Sequence, residues 1–205
     1  MFAKLVKSTI FIAAVILFTA SVQAKDYVEG KDYEVRGTVK SEKPEIREYF
    51  SFFCGHCFAM RDQFHQVRDH FLGKAEFVMN PVYVLGGDLG VYSETTYAVA
   101  QVAGVADQYE DLLFKSIHVD NEEPQNLDFF IEKLGDVGIP SEKALQSYNS
   151  FVVKGMVSSW DNSVEYAKIE AVPEIMVNGK YVVKMDDIDN VEQLNAVIDY
   201  LLTLD

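Results

Sequence analysis

The chain holds two cysteines, Cys54 and Cys57, and only Gly55-His56 separates them. A bridge across so short a loop removes almost no entropy from the unfolded chain, so it is a poor structural staple. It makes chemical sense as a redox centre that opens and closes in use. The flanking residues say where such a centre sits. Upstream, Glu45-Ile46-Arg47-Glu48-Tyr49-Phe50-Ser51-Phe52-Phe53 is aromatic-rich and reads as a strand, buried on both faces as it nears the cysteines. Downstream, Cys57, Met60, Phe64, Val67 and Phe71 recur at steps of three and four, one face of a helix. Gly73 stands where a left-handed cap ends that helix. The pair is therefore expected at a strand-to-helix junction, on the first helical turn.

The rest of the chain extends this order. Ala75-Glu76-Phe77-Val78-Met79 reads as a second strand, broken by Pro81 and resumed as Val82-Tyr83-Val84, before Gly86-Gly87 reverses the chain. Residues 93–166 show helical periodicity with breaks near Gly104, Pro124, Gly135-Asp136 and Gly138-Ile139-Pro140, which predicts an insertion of four or five helices. Ser141 is expected to cap one of them, with Glu142 near its positive end. Strand character returns in Glu174-Ile175-Met176-Val177 and Tyr181-Val182-Val183, which flank the hairpin signal Asn178-Gly179-Lys180. A closing helix from Val191 carries Leu194, Val197, Ile198, Leu201 and Leu202 on one face, with Asn190 as its cap.

The first residues set the compartment. Lys4 and Lys7 precede an apolar run from Ile10 to Phe18, followed by Ser21-Val22-Gln23-Ala24. This is the layout of a secretory signal peptide with cleavage after Ala24, and the run is too short to span a bilayer. An uncleaved anchor is the alternative. Export puts the cysteines where disulfides persist. Cleavage leaves residues 25–205 with 16 basic and 32 acidic side chains, a formal charge of −16. That sign disfavours nucleic acid and anionic membrane surfaces as partners.

The order of elements, with the cysteine pair opening the first long helix and Val172-Pro173 just before a hairpin, resembles the thioredoxin fold. The chain is more similar still to the DsbA family of thiol:disulfide oxidoreductases. Phe50-Ser51-Phe52-Phe53-Cys54-Gly55-His56-Cys57 carries the resemblance, with Gly86-Gly87-Asp88-Leu89-Gly90, Asn149-Ser150-Phe151-Val152-Val153-Lys154 and Val172-Pro173. Val177-Asn178-Gly179-Lys180-Tyr181 completes it. The resemblance implies a thioredoxin domain interrupted by an all-helical domain at about 86–159. It also implies a periplasmic enzyme, working as a monomer, that donates its Cys54–Cys57 disulfide to reduced cysteines of exported polypeptides. A membrane reoxidase of the DsbB type would restore that disulfide. By the same resemblance the Val172-Pro173 bond is cis, and these two residues bind client peptide by pairing with its extended backbone. Two departures stand out. Gly55-His56 replaces the family's usual Pro-His, as in protein disulfide isomerase, and encourages an isomerase or reductase reading as the alternative. Of the family's buried lysine and two glutamates, Glu48 matches one acid, while Arg61 and Met79 occupy the other two positions.

The attacked sulfur is expected to be Cys54, the N-terminal cysteine of the pair, at the positive end of the helix. His56, if protonated, adds favourable charge, and Gly55 leaves an N–H donor that proline would lack. Together they are expected to hold the thiolate pKa well below the free value of about 8.5. The expected potential lies between about −180 and −120 mV; the upper figure is that of the DsbA family's own namesake, not one derived for this chain. Glu48 shares a strand face with Ile46, Phe50 and Phe52, so it points toward the core. It reads either as a proton relay to Cys57, paired with Arg61, or as a carboxylate reaching water near a strand end. His65, His70 and His118 have no metal-ligand spacing and read as ordinary surface or core histidines. Two cysteines alone do not close a zinc site, so a metal carrier or a peptide-holding chaperone ranks below the enzyme; no metal or other cofactor is expected. Tyr97, Phe114, Phe129, Phe130, Tyr148, Phe151 and Trp160 read as core of the insertion.

Overall fold

Strands β1 (Tyr33–Val35), β2 (Glu45–Phe50), β3 (Glu76–Pro81), β4 (Glu174–Val177) and β5 (Tyr181–Val183) form one sheet in the order β1-β5-β4-β2-β3. This is seen in a computed structural model that describes residues 26–204. The expected export signal, residues 1–24, lies outside the described residues. Helix α1 (Gly55–His70) crosses from β2 to β3, which pair in parallel. Parallel neighbours need such a crossover, and the helix that carries the cysteines supplies it. The other three pairings are antiparallel. Helices α2 (Asp88–Ala103), α3 (Ala106–His118), α4 (Leu127–Asp136), α5 (Ser141–Tyr148) and α6 (Phe151–Ala167) lie between β3 and β4. Helix α7 (Val191–Thr203) closes the chain, and Asn190 caps it by accepting the Gln193 N–H at 2.9 Å.

Three apolar clusters hold these layers together. Ile46 and Ile175 of the sheet pack with Phe64, Val67 and Phe71 beneath α1, and with Leu194, Ile198 and Leu201 of α7. On the sheet's other side Tyr49, Met176 and Val182 meet Ala167 at the end of α6, where the Tyr49 and Ser163 hydroxyls lie 2.7 Å apart. The third cluster joins the end of β2 to the helical block. In it Phe50, Phe52 and Cys57 pack among Tyr97, Leu113, Phe114, Phe130 and Trp160. The Phe52 and Phe114 ring centres are 4.9 Å apart. Each ring taken wholly from water contributes about 1.5–3 kcal/mol, so the cysteine-bearing segment is anchored from both halves of the molecule.

Local reading of the chain fails at identifiable points. No strand resumes after Pro81: β3 runs through the proline, which its edge position allows, and the chain then leaves the sheet. Gly73 has a φ of 77°, but α1 already closes at Phe71 through its N–H to Val67. Ser141 lies inside α5, with Pro140 at the cap position and no capping side chain. Phe151, expected in the core, opens α6 with 91% of its surface exposed. The expected boundary near 159 falls inside α6. Strand β1 has no counterpart in the sequence reading, since three residues carry no periodicity and β5 alone supplies its partner. Gly90 is required by contact: a Cβ there would come within 2.1 Å of the Tyr83 carbonyl oxygen.

Candidate active site

The turn that leaves β2 delivers Cys54 to the start of α1. The Ser51 carbonyl accepts the Cys54 N–H at 3.0 Å, and the Ser51 hydroxyl accepts the Phe53 N–H at 3.2 Å. Cys54 is extended, with φ −95° and ψ 110°, and occupies the N-cap. Its Sγ accepts the Cys57 N–H at 3.3 Å, in the role usually filled by a serine or aspartate oxygen. A sulfur there satisfies one of the helix's orphan donors and faces the positive end of its dipole, an arrangement that favours an anion.

Its second neighbour comes from 118 residues away. The Cys54 thiol donates to the Val172 carbonyl at 3.4 Å, and the Val172-Pro173 peptide bond is cis. The two cysteines stand as free thiols with unequal access, Cys54 partly exposed and Cys57 only 1% exposed. Burial pushes the Cys57 thiol far above its ordinary range, against a backbone hydrogen bond with Ser51. His56 is exposed and joins Pro173 and Glu174 around a cleft of about 290 Å³. On the other side of Val172 an apolar groove of about 270 Å³ runs between Val82, Val84 and Leu85 and the segment from Val164 to Ala171. Gly55 has open space where a Cβ would stand.

Beneath Cys57 the structure places Glu48, 3% exposed, paired in register with Met79 on one side and Ile175 on the other. Its Oε2 has no donor. Burial raises its pKa well above the carboxylate range, Glu110 adds to the rise, and Arg68 opposes it. The expected Arg61 partner is absent. Arg61 lies 3.3 Å from both Asp62 and Asp111, drawn to the acids on the outer rim of α1 and α3. Three neighbours were not singled out as site residues by sequence reasoning. His65 on α1 lies 3.3 Å from Glu110 on α3, which is 1% exposed. His118 stacks on Phe58 with ring centres 5.0 Å apart, and its Nε2 lies 2.8 Å from the Phe52 carbonyl. A carbonyl only accepts, so Nε2 carries the proton in this contact. The available signal for Glu110 was its place three and four residues before Leu113 and Phe114, on the apolar stripe of α3. Among the described residues no group of three or more His, Cys, Asp or Glu is placed to hold a metal.

Known proteins are similar to this chain over most of its length. A family model described as a DSBA-like thioredoxin domain matches residues 45–196. The thiol:disulfide interchange protein DsbA of Dickeya dadantii is 30% identical over 192 residues, covering 91% of this chain and 89% of its own. DsbA of Escherichia coli K12 is 30% identical over 203 residues, covering 91% and 93%. The crystal structure of Klebsiella pneumoniae DsbA superposes with a TM-score of 0.79 at 31% identity, covering 88% of this chain and all of that one. A Proteus mirabilis DsbA structure, 27% identical with a TM-score of 0.77, covers 88% of this chain and all of its own, and holds a non-covalently bound peptide. These relatives are named for thiol:disulfide interchange, and the matching family model is a thioredoxin domain. The chain belongs to the DsbA family and is a thiol:disulfide oxidoreductase.

Proposed function

We propose that the protein oxidises reduced cysteines of exported polypeptides in the periplasm, acting as a monomer, with Cys54 and Cys57 as its catalytic pair. The observation that carries this is the inequality of the two sulfurs: one at an open helix cap beside a backbone carbonyl, the other buried. A client thiolate reaches Cys54 alone. It attacks that sulfur, the Cys54–Cys57 bond breaks, and the electron pair departs on Cys57, which takes up a proton. A second client thiol then attacks the client sulfur of the mixed disulfide, and Cys54 leaves as a thiolate steadied by the Cys57 N–H. The client loses two electrons and the enzyme disulfide gains them. A membrane reoxidase of the DsbB type then restores the bridge.

Val172 and Pro173 form the client-binding loop in this reading. The Val172 carbonyl faces Cys54, so an extended client can pair with this backbone while its cysteine meets the sulfur. The peptide-bound Proteus mirabilis relative supports peptide as the class of ligand. The apolar groove beside Val172, with Val84 62% exposed, offers room for client side chains. His56 and Gly55 tune the thiolate from the helix tip, and Glu48 tunes Cys57 from below. Cys54→Ser is expected to fold normally and to abolish oxidation of a reduced, unfolded client. Equilibration of the native pair with glutathione is expected to give a potential between about −180 and −120 mV. Client oxidation that survives the substitution, or a potential below about −240 mV, overturns the assignment.

A further inference from the structure

Two carboxyl oxygens beneath the buried thiol lack a hydrogen-bond donor: Oε2 of Glu48 and Oε2 of Glu110. A buried polar atom left without a partner costs about 1–3 kcal/mol, and more where it carries charge. Packing does not explain keeping two in one chamber, since an apolar side chain at either position would remove the cost. The groups around them come from four elements. Glu48 on β2 faces Glu110, Arg68 and Cys57. Glu110 on α3 faces His65 and Arg68 of α1 and Tyr97 of α2. His65 also feels Arg68 and Asp111, and Arg68 is held by Asp107 at 2.9 Å with Asp69 nearby. Arg61 is engaged by Asp62 and Asp111. His65 reaches water and also contacts a buried acid, its side chain 27% exposed and its Nε2 3.3 Å from Glu110. A cavity of about 390 Å³ bounded by Arg68, Met79, Tyr97 and Asp107 brings solvent to the same side of β3.

We propose that Glu110, anchored by His65, is a positioning residue that passes protons between solvent and Glu48 beneath Cys57. The proposal rests on the reading above, in which Cys57 leaves as an anion during attack on Cys54 and must be protonated. Glu48 is the buried acid that acts on Cys57: burial keeps it neutral, and it gives its proton to the departing Cys57 sulfur. That leaves a carboxylate at Glu48 buried without a hydrogen-bond donor on Oε2, which is strongly unfavourable. His65 as imidazolium returns a proton through Glu110 and solvent replaces it, so the chamber again holds the proton it began with. Charge and atoms balance at each transfer, and no oxidant beyond the enzyme disulfide is needed.

The test is the second-order reduction of the oxidised enzyme by dithiothreitol between pH 5 and 10, normalised to the dithiothreitol thiolate. The wild type is expected to show a break where the chamber loses its proton, with rates falling above it. In Glu110→Gln both the repulsion on Glu48 and the proton path disappear, so the break moves to lower pH and the normalised rate near pH 7 falls. His65→Gln changes a partly exposed side chain and keeps the variant set informative if Glu110→Gln fails to fold. It is expected to lower the normalised rate near pH 7 about tenfold, the lower end of what a positioned proton donor supplies. An unmoved break in folded Glu110→Gln, or a His65→Gln rate within twofold of wild type throughout, overturns the relay and leaves the oxidase reading intact. The oxidase reading itself fails only if the wild-type bridge does not oxidise a reduced client.

Discussion

Among the buried glutamates of the described residues, Glu48 in the sheet and Glu94 in the helical block make the plainest contrast, because only Glu48 adjoins a cysteine. Glu48 and Glu94 are 3% and 1% exposed, and each has an oxygen without a donor. Glu94, on α2, has its pKa pushed up to about 9, first by burial and then by Asp161 on α6. Asp161 is raised in turn by burial and by Glu165. Among the described residues, no thiol or histidine acts on the charge of this second pair. Glu48, by contrast, adjoins Cys57 and, through Glu110, a histidine that reaches water. Burial alone therefore does not mark a functional acid. What marks it is burial together with a reacting atom on one side and a proton outlet on the other.

The largest expected effect separates the two acids by stability and by chemistry. Glu94 is neutral in the folded protein up to about pH 9 but ionises near 4.5 once unfolded. The folded state therefore holds more protons across that window, and stability falls as pH rises through it. The loss is roughly 1 kcal/mol per pH unit. Glu94→Gln is expected to flatten the dependence of denaturant-midpoint stability on pH between 5 and 9, and to leave the dithiothreitol profile unchanged. Glu48→Gln is expected to flatten stability as well, but also to reshape that profile. Parallel stability curves for wild type and Glu94→Gln would refute the buried-acid account. An equal change of redox profile in both variants would erase the distinction between the two acids.

The difference between these sites also explains what the sequence discloses. Period and punctuation are local, and they suffice for the cysteine helix, the hairpin at Asn178-Gly179 and the cap at Asn190. Glu48 was legible as a core-facing side chain because strand alternation places it with Ile46 and Phe50. Its partners were not. Glu110 and His118 reach the site from α3, and Arg61 turns outward to acids no spacing rule connects with it. Phe151 fails for a related reason: helical periodicity ranks faces, but the first residue of a helix need not follow the face below it. Residues joined by topology are invisible to a reading that looks seven positions ahead.

A smaller effect is expected where the helical block holds the active-site turn. His118 donates to the Phe52 carbonyl and stacks on Phe58, so one residue of α3 fixes the segment two residues before Cys54. His118→Phe keeps the stacking ring and deletes the donor. The unpaired carbonyl costs about 1–2 kcal/mol, read as a lowered unfolding midpoint in thermal or urea titration. Stability equal to wild type would mean that water replaces the imidazole and that the contact is incidental. The variant also asks whether the turn is held mainly by the aromatic cluster, with Phe52 4.9 Å from Phe114, or by this hydrogen bond.

The smallest effect is expected at Gly55, where this chain departs from its family's usual dipeptide. Gly55 is the first residue of α1, its N–H makes no backbone hydrogen bond, and a Cβ would meet nothing within 4 Å. The preceding Cys54 already has the extended backbone, φ −95° and ψ 110°, that a following proline demands. Proline is well suited to the first helical position because its missing N–H is not needed there. Gly55→Pro is therefore expected to fold unchanged and to gain about 0.4–1 kcal/mol from the stiffer unfolded chain. Thermal unfolding of the reduced protein measures this without interference from the bridge. A loss of stability would mean that the glycine N–H holds something the fold requires, most plainly the Cys54 sulfur. A gain would assign the choice of glycine to redox chemistry rather than to folding, and would place the helix tip with Glu48 among the positions set by function.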